Sequence, residues 1–296
     1  MPDDPALSVV IASVNGMPYL GACLDSLRDH ATEAEVIVAD CTDAATRATV
    51  QRDWPFATVL AFTEPTTIPA LRAAGIFAAS ASTVAVIEDH CIVGVGWASA
   101  LLRARQDGHA VVGGPIRNGV GARTRDWAAF LFEYSAFLEP VQRGPTESLP
   151  GMNVCYDAEA VLEIADLLRA GKWESWLHGR LRGRGFELYC EPDAVIEHEM
   201  DFGVGDFISQ RYHYSRAYAA MRTPDLRGRR VIYCLASPLL VPLLYARIAR
   251  NVFRTRRNQA KLVLATPLIL VYTLVTAAGE AGGYAAGGGS SLLRVK

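Results

Sequence analysis

The sequence predicts an α/β protein in which a doubly wound, mainly parallel sheet is flanked by helices and followed by apolar helices at the C-terminal end. In the first part of the chain, short apolar runs alternate with helical segments of ten or more residues, a pattern typical of parallel sheets. Ionisable residues stop two of these runs abruptly, at Asp40 and at Glu88. Near the C-terminal end, residues 231–246 and 262–278 contain no charge.

Four strands and two helices are predicted in the first ninety residues. The strands are "LSVVIAS", "AEVIVADCT", "ATVLAF" and "TVAVIED", all rich in β-branched or small apolar residues. A helix follows the first strand, because Leu20, Cys23, Leu24 and Leu27 recur at helical spacing. The Ala-rich segment "IPALRAAGIFAASAS" is predicted as a helix between the third and fourth strands.

The remaining elements are predicted with the same patterns. We expect a strand at "HAVVGGPI" and an aromatic helical segment over residues 123–140. Residues 149–171 then suggest a loop, a short strand and a helix. A further helix ends near Gly185, which is followed by another strand. We expect three parts in all: a catalytic domain over 1–205, a connecting helix over 206–230 and a membrane-associated helical hairpin over 231–296.

Charge is unevenly distributed along the chain. The net charge is −2, yet residues 222–296 contain twelve Lys and Arg against only Asp225 and Glu280. Cations beside apolar helices suit an anionic membrane surface better than a nucleic acid, which we do not expect as a partner. The six cysteines have no metal-ligand spacing, and the first residues do not resemble a secretory signal. We therefore expect reduced cysteines and a location on the cytoplasmic side of the cell membrane.

The polar residues at the predicted strand ends mark a candidate site. Ligands of doubly wound sheets bind outside the carboxyl ends of the strands. Asp40 and the triplet Glu88-Asp89-His90 both fall at such ends. Three adjacent ionisable side chains are not buried without partners, so this edge of the sheet is expected to hold charged groups.

An ordered set of motifs resembles the family 2 glycosyltransferases, which have the GT-A fold. The motifs are "SVVIASVNG", "CLDSL", "EVIVADCTD", "ALRAAG", "VIEDH", "GMNVCY", "WESWLHGRLRGRG" and "EPDAVIEH", and they cover about residues 7–200. Each is weak alone, but their order matches the family throughout. The resemblance implies an enzyme that transfers a sugar from a nucleotide-diphospho-sugar, here expected to be UDP-linked.

The resemblance also implies a set of donor-binding residues. Asp40, Arg72 and Asp89 are expected to contact the nucleotide. Glu88, Asp89 and His90 replace the usual D-x-D metal motif, and His198 is a candidate further metal ligand or diphosphate contact. A divalent cation stabilises charge on the leaving diphosphate. Imidazole at the third position favours Mn²⁺ over Mg²⁺.

Inverting transfer also needs a base that takes the proton of the acceptor hydroxyl. The family supplies it from an E-D pair at the start of an acidic helix, where this sequence has Trp173-Glu174, so Glu174 is the candidate base. Further on, "QRYHY" replaces the Q-x-x-R-W of processive members, which argues against polymerisation. Three residues here are candidate contacts to the diphosphate or an anionic acceptor, although a solvated helix explains them equally well: Gln210, His213 and Arg216.

Two alternatives stay open at this stage. The altered metal and base motifs also suit a non-catalytic relative that binds a nucleotide-sugar or acts as a scaffold at the membrane. The apolar runs either cross the membrane twice as a tight hairpin or lie within the cytoplasmic leaflet, and we favour the second. Their location indicates a lipid-linked or amphipathic acceptor.

Overall fold

The computed structural model describes residues 5–30 and 33–295, and it divides the chain into two compact units. The first unit comprises Met1–Gly119 and Glu139–Met200, and the second comprises Val120–Leu138 and Asp201–Lys296. The second unit thus joins the segment from Asp201 onward to most of the aromatic segment predicted over 123–140, and the three-part division at residues 205 and 230 stays a prediction.

The first unit contains eleven strands among its described residues, in two sheets. In chain order they are β1 (Leu7–Ser13), β2 (Ala34–Asp40), β3 (Ala57–Ala61), β4 (Thr83–Glu88), β5 (Cys91–Val93), β6 (Val111–Gly113), β7 (Ile116–Asn118), β8 (Gly144–Pro145), β9 (Val154–Asp157), β10 (Leu188–Cys190) and β11 (Ile196–His198).

The large sheet has the strand order β3-β2-β1-β4-β9-β6-β10-β8. Strands β1 to β4 pair in parallel, as does β6 with β10, whereas β9 and β8 pair with antiparallel neighbours. The predicted mainly parallel sheet is confirmed. A small second sheet has the order β5-β11-β7 and lies directly after the strand that carries Glu88.

Seven helices of the first unit connect and cover these strands. They are α1 (Tyr19–Ser26), α2 (Ala44–Asp53), α3 (Ile68–Ala78), α4 (Trp97–Gln106), α6 (Ala158–Leu162), α7 (Ala165–Arg169) and α8 (Glu174–Gly183). The sequence analysis did not predict α2, and it predicted one helix where α6 and α7 lie. Gly185 follows α8 with a φ of +95°, a conformation that glycine adopts without strain, and this confirms that the helix ends there.

The core of the first unit explains why these segments form strands. Every residue of β1, β2 and β4 is buried, and most are β-branched or small. Helix α3 packs closely on this sheet through Gly75, where an added Cβ would lie 2.1 Å from Val10 Cγ1. The close approach fixes α3, and with it Arg72, against the strand that runs beside β4.

The described secondary structure of the second unit consists of helices. It contains α5 (Thr124–Tyr134), α9 (Val204–Arg222), α10 (Arg230–Ala236), α11 (Leu240–Thr255) and α12 (Gln259–Ala286). The first apolar run is interrupted by a 3-10 turn at Ser237–Leu239, where Pro238 lies. The segments Arg230–Thr255 and Gln259–Ala286 are long and apolar enough to cross a membrane by length and composition.

Candidate active site

The strand β4 ends at Glu88 and is followed by Asp89 and His90 at the carboxyl end of the parallel strands of the large sheet. All three side chains are buried or nearly so. Asp40 ends β2 two strands away in the same sheet, as the sequence predicted. The polar residues that stop the apolar runs therefore lie at carboxyl ends of parallel strands, the position at which such sheets bind ligands.

Asp89 holds the loop that follows β1. Its Oδ2 accepts hydrogen bonds from the backbone N–H groups of Val14, Asn15 and Gly16 at 2.7–3.2 Å, and its Oδ1 accepts one from the Asn15 amide at 2.9 Å. Burial alone would raise the pKa of Asp89, but His90 and Asn15 lower it below its usual range. These bonds make Asp89 an anchor of this loop, and its contacts to a metal and to the nucleotide stay predictions.

Arg72 joins two carboxylates that are far apart in the sequence. Its Nη2 donates to Glu88 Oε1, and its Nη1 donates to Glu174 Oε2 at 3.1 Å. Burial alone would lower the pKa of Arg72, but Glu88 and Glu174 raise it, so the guanidinium stays charged. The candidate base and the first residue of the candidate metal motif thus meet at a single side chain.

Two imidazoles lie on the other side of Glu88. His90 Nε2 is 3.4 Å from Glu88 Oε2, and the rings of His90 and His198 are 4.7 Å apart, edge to face. Strand β11 brings His198 here, because it pairs with β5 and places His198 opposite Cys91. Burial, and then the charge of His90, hold the pKa of His198 well below its usual range, which keeps the imidazole neutral.

The donor set near Glu88 fits a divalent cation in its chemistry. Carboxylate oxygen and imidazole nitrogen are both ligands that Mn²⁺ accepts. Among residues 5–30 and 33–295 no group of three such side chains is already arranged around a metal position. Glu88, His90 and His198 would therefore provide only part of a coordination shell.

The "GMN" motif forms the floor of this site. A Cβ at Gly151 would lie 2.6 Å from the Glu174 carboxyl carbon and 2.8 Å from Arg72 Nη1, so a side chain there would displace the ends of Glu174 and Arg72. Asn153 is fully buried; its Oδ1 accepts from Trp97 Nε1 at 2.9 Å, and its amide donates to two backbone carbonyls. The sequence analysis identified the motif but not this supporting role, nor Trp97.

Asp40 also has hydrogen-bond partners within the chain. Its carboxylate accepts hydrogen bonds from Ser13 Oγ at 3.0 Å and Thr42 Oγ1 at 2.7 Å, and it pairs with Arg47 Nη1 at 3.0 Å. The sequence analysis missed Arg47, since it lies on the unpredicted helix α2. Asp40 and Arg47 together present a carboxylate and a guanidinium at one strand end.

Tyr156 and His178 form a buried pair that the sequence analysis also missed. Tyr156 Oη lies 2.9 Å from His178 Nε2. Burial, and then the charge of Arg72, lower the pKa of His178 to about 3, so it is neutral. Tyr156 lines a small cavity together with Arg72, Gly151 and Glu174, and the pair supports the wall behind these residues.

The remaining candidates lie on α9 in the second unit. Gln210 is buried. His213 Nδ1 is 3.1 Å from Ser291 Oγ, and Arg216 Nε donates to the Gly287 carbonyl at 2.9 Å. These contacts tie His213 and Arg216 to the C-terminal segment of their own unit. Contact with a diphosphate or an acceptor stays a prediction for all three.

The fold and the site agree with a known family. Residues 8–156 match Glycosyl transferase family 2. This match covers half of the chain, and the chain belongs to that family. The resemblance inferred from the sequence motifs is therefore confirmed, and the protein is a glycosyltransferase by family. No curated protein sequence is significantly similar to it.

A solved structure shares the fold. The mannosyltransferase PcManGT from Pyrobaculum calidifontis, in complex with GDP-Man and Mn²⁺, is similar to this chain with a TM-score of 0.58 and 17% sequence identity. The similarity covers 94% of this chain and 87% of that one. It shows that this chain has a GT-A-like fold, as predicted.

Proposed function

We propose that this protein is an inverting, metal-dependent glycosyltransferase that moves a sugar from a nucleotide-diphospho-sugar to a lipid-linked or amphipathic acceptor at the cytoplasmic face of the cell membrane. The observation that carries the proposal is the pairing of Arg72 with both Glu88 and Glu174. It brings the candidate base and the candidate metal motif to one point at the sheet edge. Family membership supports the reaction class.

Glu174 acts as the base in this proposal. It takes the proton of the acceptor hydroxyl as that oxygen forms a bond to the anomeric carbon, while the bond from that carbon to the diphosphate oxygen breaks and its electron pair leaves with the nucleotide. Glu174 Oε2 is paired with Arg72, and its side chain is partly exposed, so the carboxylate is reachable by an acceptor. It is also the first residue of α8, so its backbone position is fixed by that helix.

Arg72 and the imidazoles handle the negative charge. Arg72 is buried, stays protonated and offers a fixed cation next to the position where the diphosphate charge develops. Glu88, His90 and His198 are the residues that would hold a divalent cation, with Mn²⁺ preferred over Mg²⁺. Such an ion supplies charge stabilisation on the leaving diphosphate when bound.

The nucleobase is the least constrained part of the donor. A carboxylate accepts an N–H and a guanidinium donates to a carbonyl, so the Asp40–Arg47 pair suits a base with an imide N–H beside a carbonyl. Uracil and guanine both have this edge, whereas adenine and cytosine do not. We retain UDP as the first candidate, and the GDP-Man complex of the structural neighbour makes GDP the second.

Calorimetric titration of the detergent-purified protein with UDP and with GDP, each with Mn²⁺, Mg²⁺ or a chelator, tests the donor side. We expect metal-dependent binding of one nucleotide that is lost in His90→Ala. Failure of both nucleotides to bind under every metal condition would remove the support for a nucleotide-sugar donor.

The change Glu174→Gln tests the catalytic side. It keeps the size of the side chain and removes the base, so turnover should fall at least 100-fold while metal-dependent nucleotide binding stays within threefold. Glu147→Gln is the matched control, because the side chain of Glu147 is 89% exposed at the surface. Turnover in Glu174→Gln close to that of the control would exclude Glu174 as the base.

The alternative is a non-catalytic relative that binds a nucleotide-sugar or acts as a scaffold at the membrane. The engagement of Asp89 by the loop after β1 favours it, since that carboxylate is not free for a metal. A binding protein would show nucleotide binding with no turnover in the unaltered chain, whatever donor sugar is supplied.

A further inference from the structure

Helices α10, α11 and α12 share an exposed apolar surface. On α12 it consists of residues along one side of the helix, which are 38–67% exposed: Val263, Leu264, Leu270, Val271 and Leu274. On α10, α11 and the turn between them it consists of residues that are 62–76% exposed: Val231, Ile232, Leu235, Leu239 and Leu243. We call these ten residues the apolar face. An apolar patch of this extent marks an interaction surface.

The opposite side of α12 packs on two charged helices. Near its start, Lys261 lies over the ring of Trp127 on α5, and in its middle Tyr272 contacts Phe132 of the same helix. Further on, Gly279 and Gly283 pack on the backbone of α9, where an added Cβ would lie within 2.6 Å of a carbonyl oxygen. The whole length of α12 is therefore flanked by protein on one side.

These neighbours are incompatible with a crossing of the bilayer. Helix α9 contains Arg211, which pairs with Glu133 of α5 at 2.9 Å, and Arg222, which pairs with Glu280 of α12 at 3.0 Å. If α12 crossed, these charges would enter the hydrocarbon beside it, where ionised groups are strongly disfavoured.

Cations border the apolar face. Leu243, Arg247, Arg250 and Arg254 lie on one side of α11, at positions that follow a helical repeat. These three arginines are exposed, and none pairs with an acidic side chain within residues 5–30 and 33–295. Unpaired arginines next to exposed leucines complement an anionic lipid surface, with the leucines below the headgroups and the arginines among them.

We propose that the apolar face binds in the plane of one leaflet of an anionic bilayer and that neither α11 nor α12 crosses it. The helices then act as a monotopic anchor, in which Arg247, Arg250 and Arg254 stay at the headgroups of the same leaflet. The proposal builds on the membrane location in the proposed function, but it does not depend on sugar transfer.

Flotation of the full-length protein with extruded vesicles tests the surface. Vesicles of phosphatidylcholine with 30% phosphatidylserine should carry the protein upward, and pure phosphatidylcholine should bind it far less. Leu274→Asp should weaken binding at least tenfold, whereas Val95→Asp, on a fully exposed residue of the first unit, should not. Equal loss in both variants, or binding that ignores the anionic lipid, would overturn the proposal.

A matched charge comparison tests the arginines. Arg247→Ser/Arg250→Ser/Arg254→Ser should weaken binding to the anionic vesicles by about 100-fold, since each cation near the surface contributes roughly fivefold. The control replaces three exposed arginines on and directly after α8 with serine and so removes the same charge from the first unit: Arg180, Arg182 and Arg184. This control should leave binding to the anionic vesicles within threefold of the unaltered chain.

Labelling with a membrane-impermeant maleimide distinguishes the in-plane anchor from a crossing hairpin. The three partly exposed cysteines are first replaced by serine. Gln259→Cys then marks the tip of the hairpin, between α11 and α12, and Arg229→Cys marks its base, just before α10. Both should react from the outside of vesicles to which the protein was added. Protection of Gln259→Cys alone would show that the hairpin crosses the bilayer twice. A soluble dimer that does not bind vesicles would show instead that a second copy of the chain covers the apolar face. Either result refutes the proposal, and neither affects the transferase test.

Discussion

Gly75 is the position at which helix α3 comes closest to the central sheet, and replacing it with alanine is predicted to destabilise the first unit. The new Cβ would lie 2.1 Å from Val10 Cγ1 and 3.1 Å from both Val10 Cβ and Val10 Cγ2. Carbon atoms in contact normally lie about 3.5–4.0 Å apart, so the overlap is about 1.5 Å. Rotation of the valine only exchanges one methyl group for another, and Val10 is fully buried in β1.

The magnitude follows from two opposing effects. Alanine is favoured over glycine inside a helix by about 1 kcal/mol. Overpacking of a filled core costs about 1–3 kcal/mol and more for a severe overlap, so the free energy of unfolding should fall by about 2 kcal/mol in net terms. Gly179 is the matched control, since it lies inside α8 and a Cβ there would meet nothing within 4 Å. Gly179→Ala should therefore be about 1 kcal/mol more stable than the unaltered chain.

Urea unfolding followed by circular dichroism measures both variants. We expect a difference of about 3 kcal/mol between Gly75→Ala and Gly179→Ala. Adding Val10→Ala to Gly75→Ala should cost less than Val10→Ala costs in the unaltered chain, because the new methyl group fills the space that is vacated. Equal stability of the two alanine variants would refute the close packing of α3 on β1. Because Arg72 lies one turn before Gly75, the displaced helix should also reduce turnover.

Three further predictions concern buried polar groups of the first unit. Arg72→Met leaves two largely buried carboxylates without their cation, so the free energy of unfolding measured in urea should fall by about 3–5 kcal/mol. A fall of less than about 1 kcal/mol would contradict the pairing. The pKa of His178 is about 3 in the folded chain and about 6.5 in the unfolded chain. Between these values only the unfolded chain binds a proton at His178, so the free energy of unfolding decreases as the pH is lowered. Between pH 7 and pH 5 the unaltered chain should lose about 2 kcal/mol more than His178→Gln, and equal pH slopes in urea would exclude a buried neutral imidazole. Trp97→Phe removes the only side-chain donor to Asn153 Oδ1 among the described residues, so it should lower the free energy of unfolding by about 1–3 kcal/mol. Thermal unfolding measures this change, and an unchanged midpoint temperature would show that the hydrogen bond is dispensable.

The sequence predicted the sheet and its edge well because both depend on local patterns. Runs of buried β-branched residues form strands, and the charged residues that end them mark the carboxyl ends, as Asp40 and Glu88 do. Helix α2 escaped prediction because only Thr46 and Val50 of its ten residues are buried, which leaves almost no apolar periodicity to detect. Its start is fixed instead by a single cap, in which the side chain of Asp43 accepts the backbone N–H of Thr46 at 2.7 Å.

The contacts inside the candidate site were beyond the reach of sequence patterns. Arg72 and Glu174 were each identified from a separate motif, but no local signal indicates that they pair across 102 positions. The same is true of Tyr156 and His178, which look like ordinary core residues in the sequence. Such pairings depend on how helices α3 and α8 pack on the sheet, and local patterns in a single sequence contain no information on that packing.

The span of the Arg72 pairings has a consequence for how the chain acquires its site. Glu88 is 16 positions from Arg72, so that pair closes a short loop and can form as soon as β4 joins the sheet. The pair with Glu174 closes a loop of about a hundred residues, and long loops carry a larger entropic cost that is met only once most of the sheet exists. The central strands can therefore assemble with a half-formed site, and Glu174 arrives only after β9 and the helices that follow it have docked. Catalytic competence should then appear as a late event in folding, well after the parallel strands are complete.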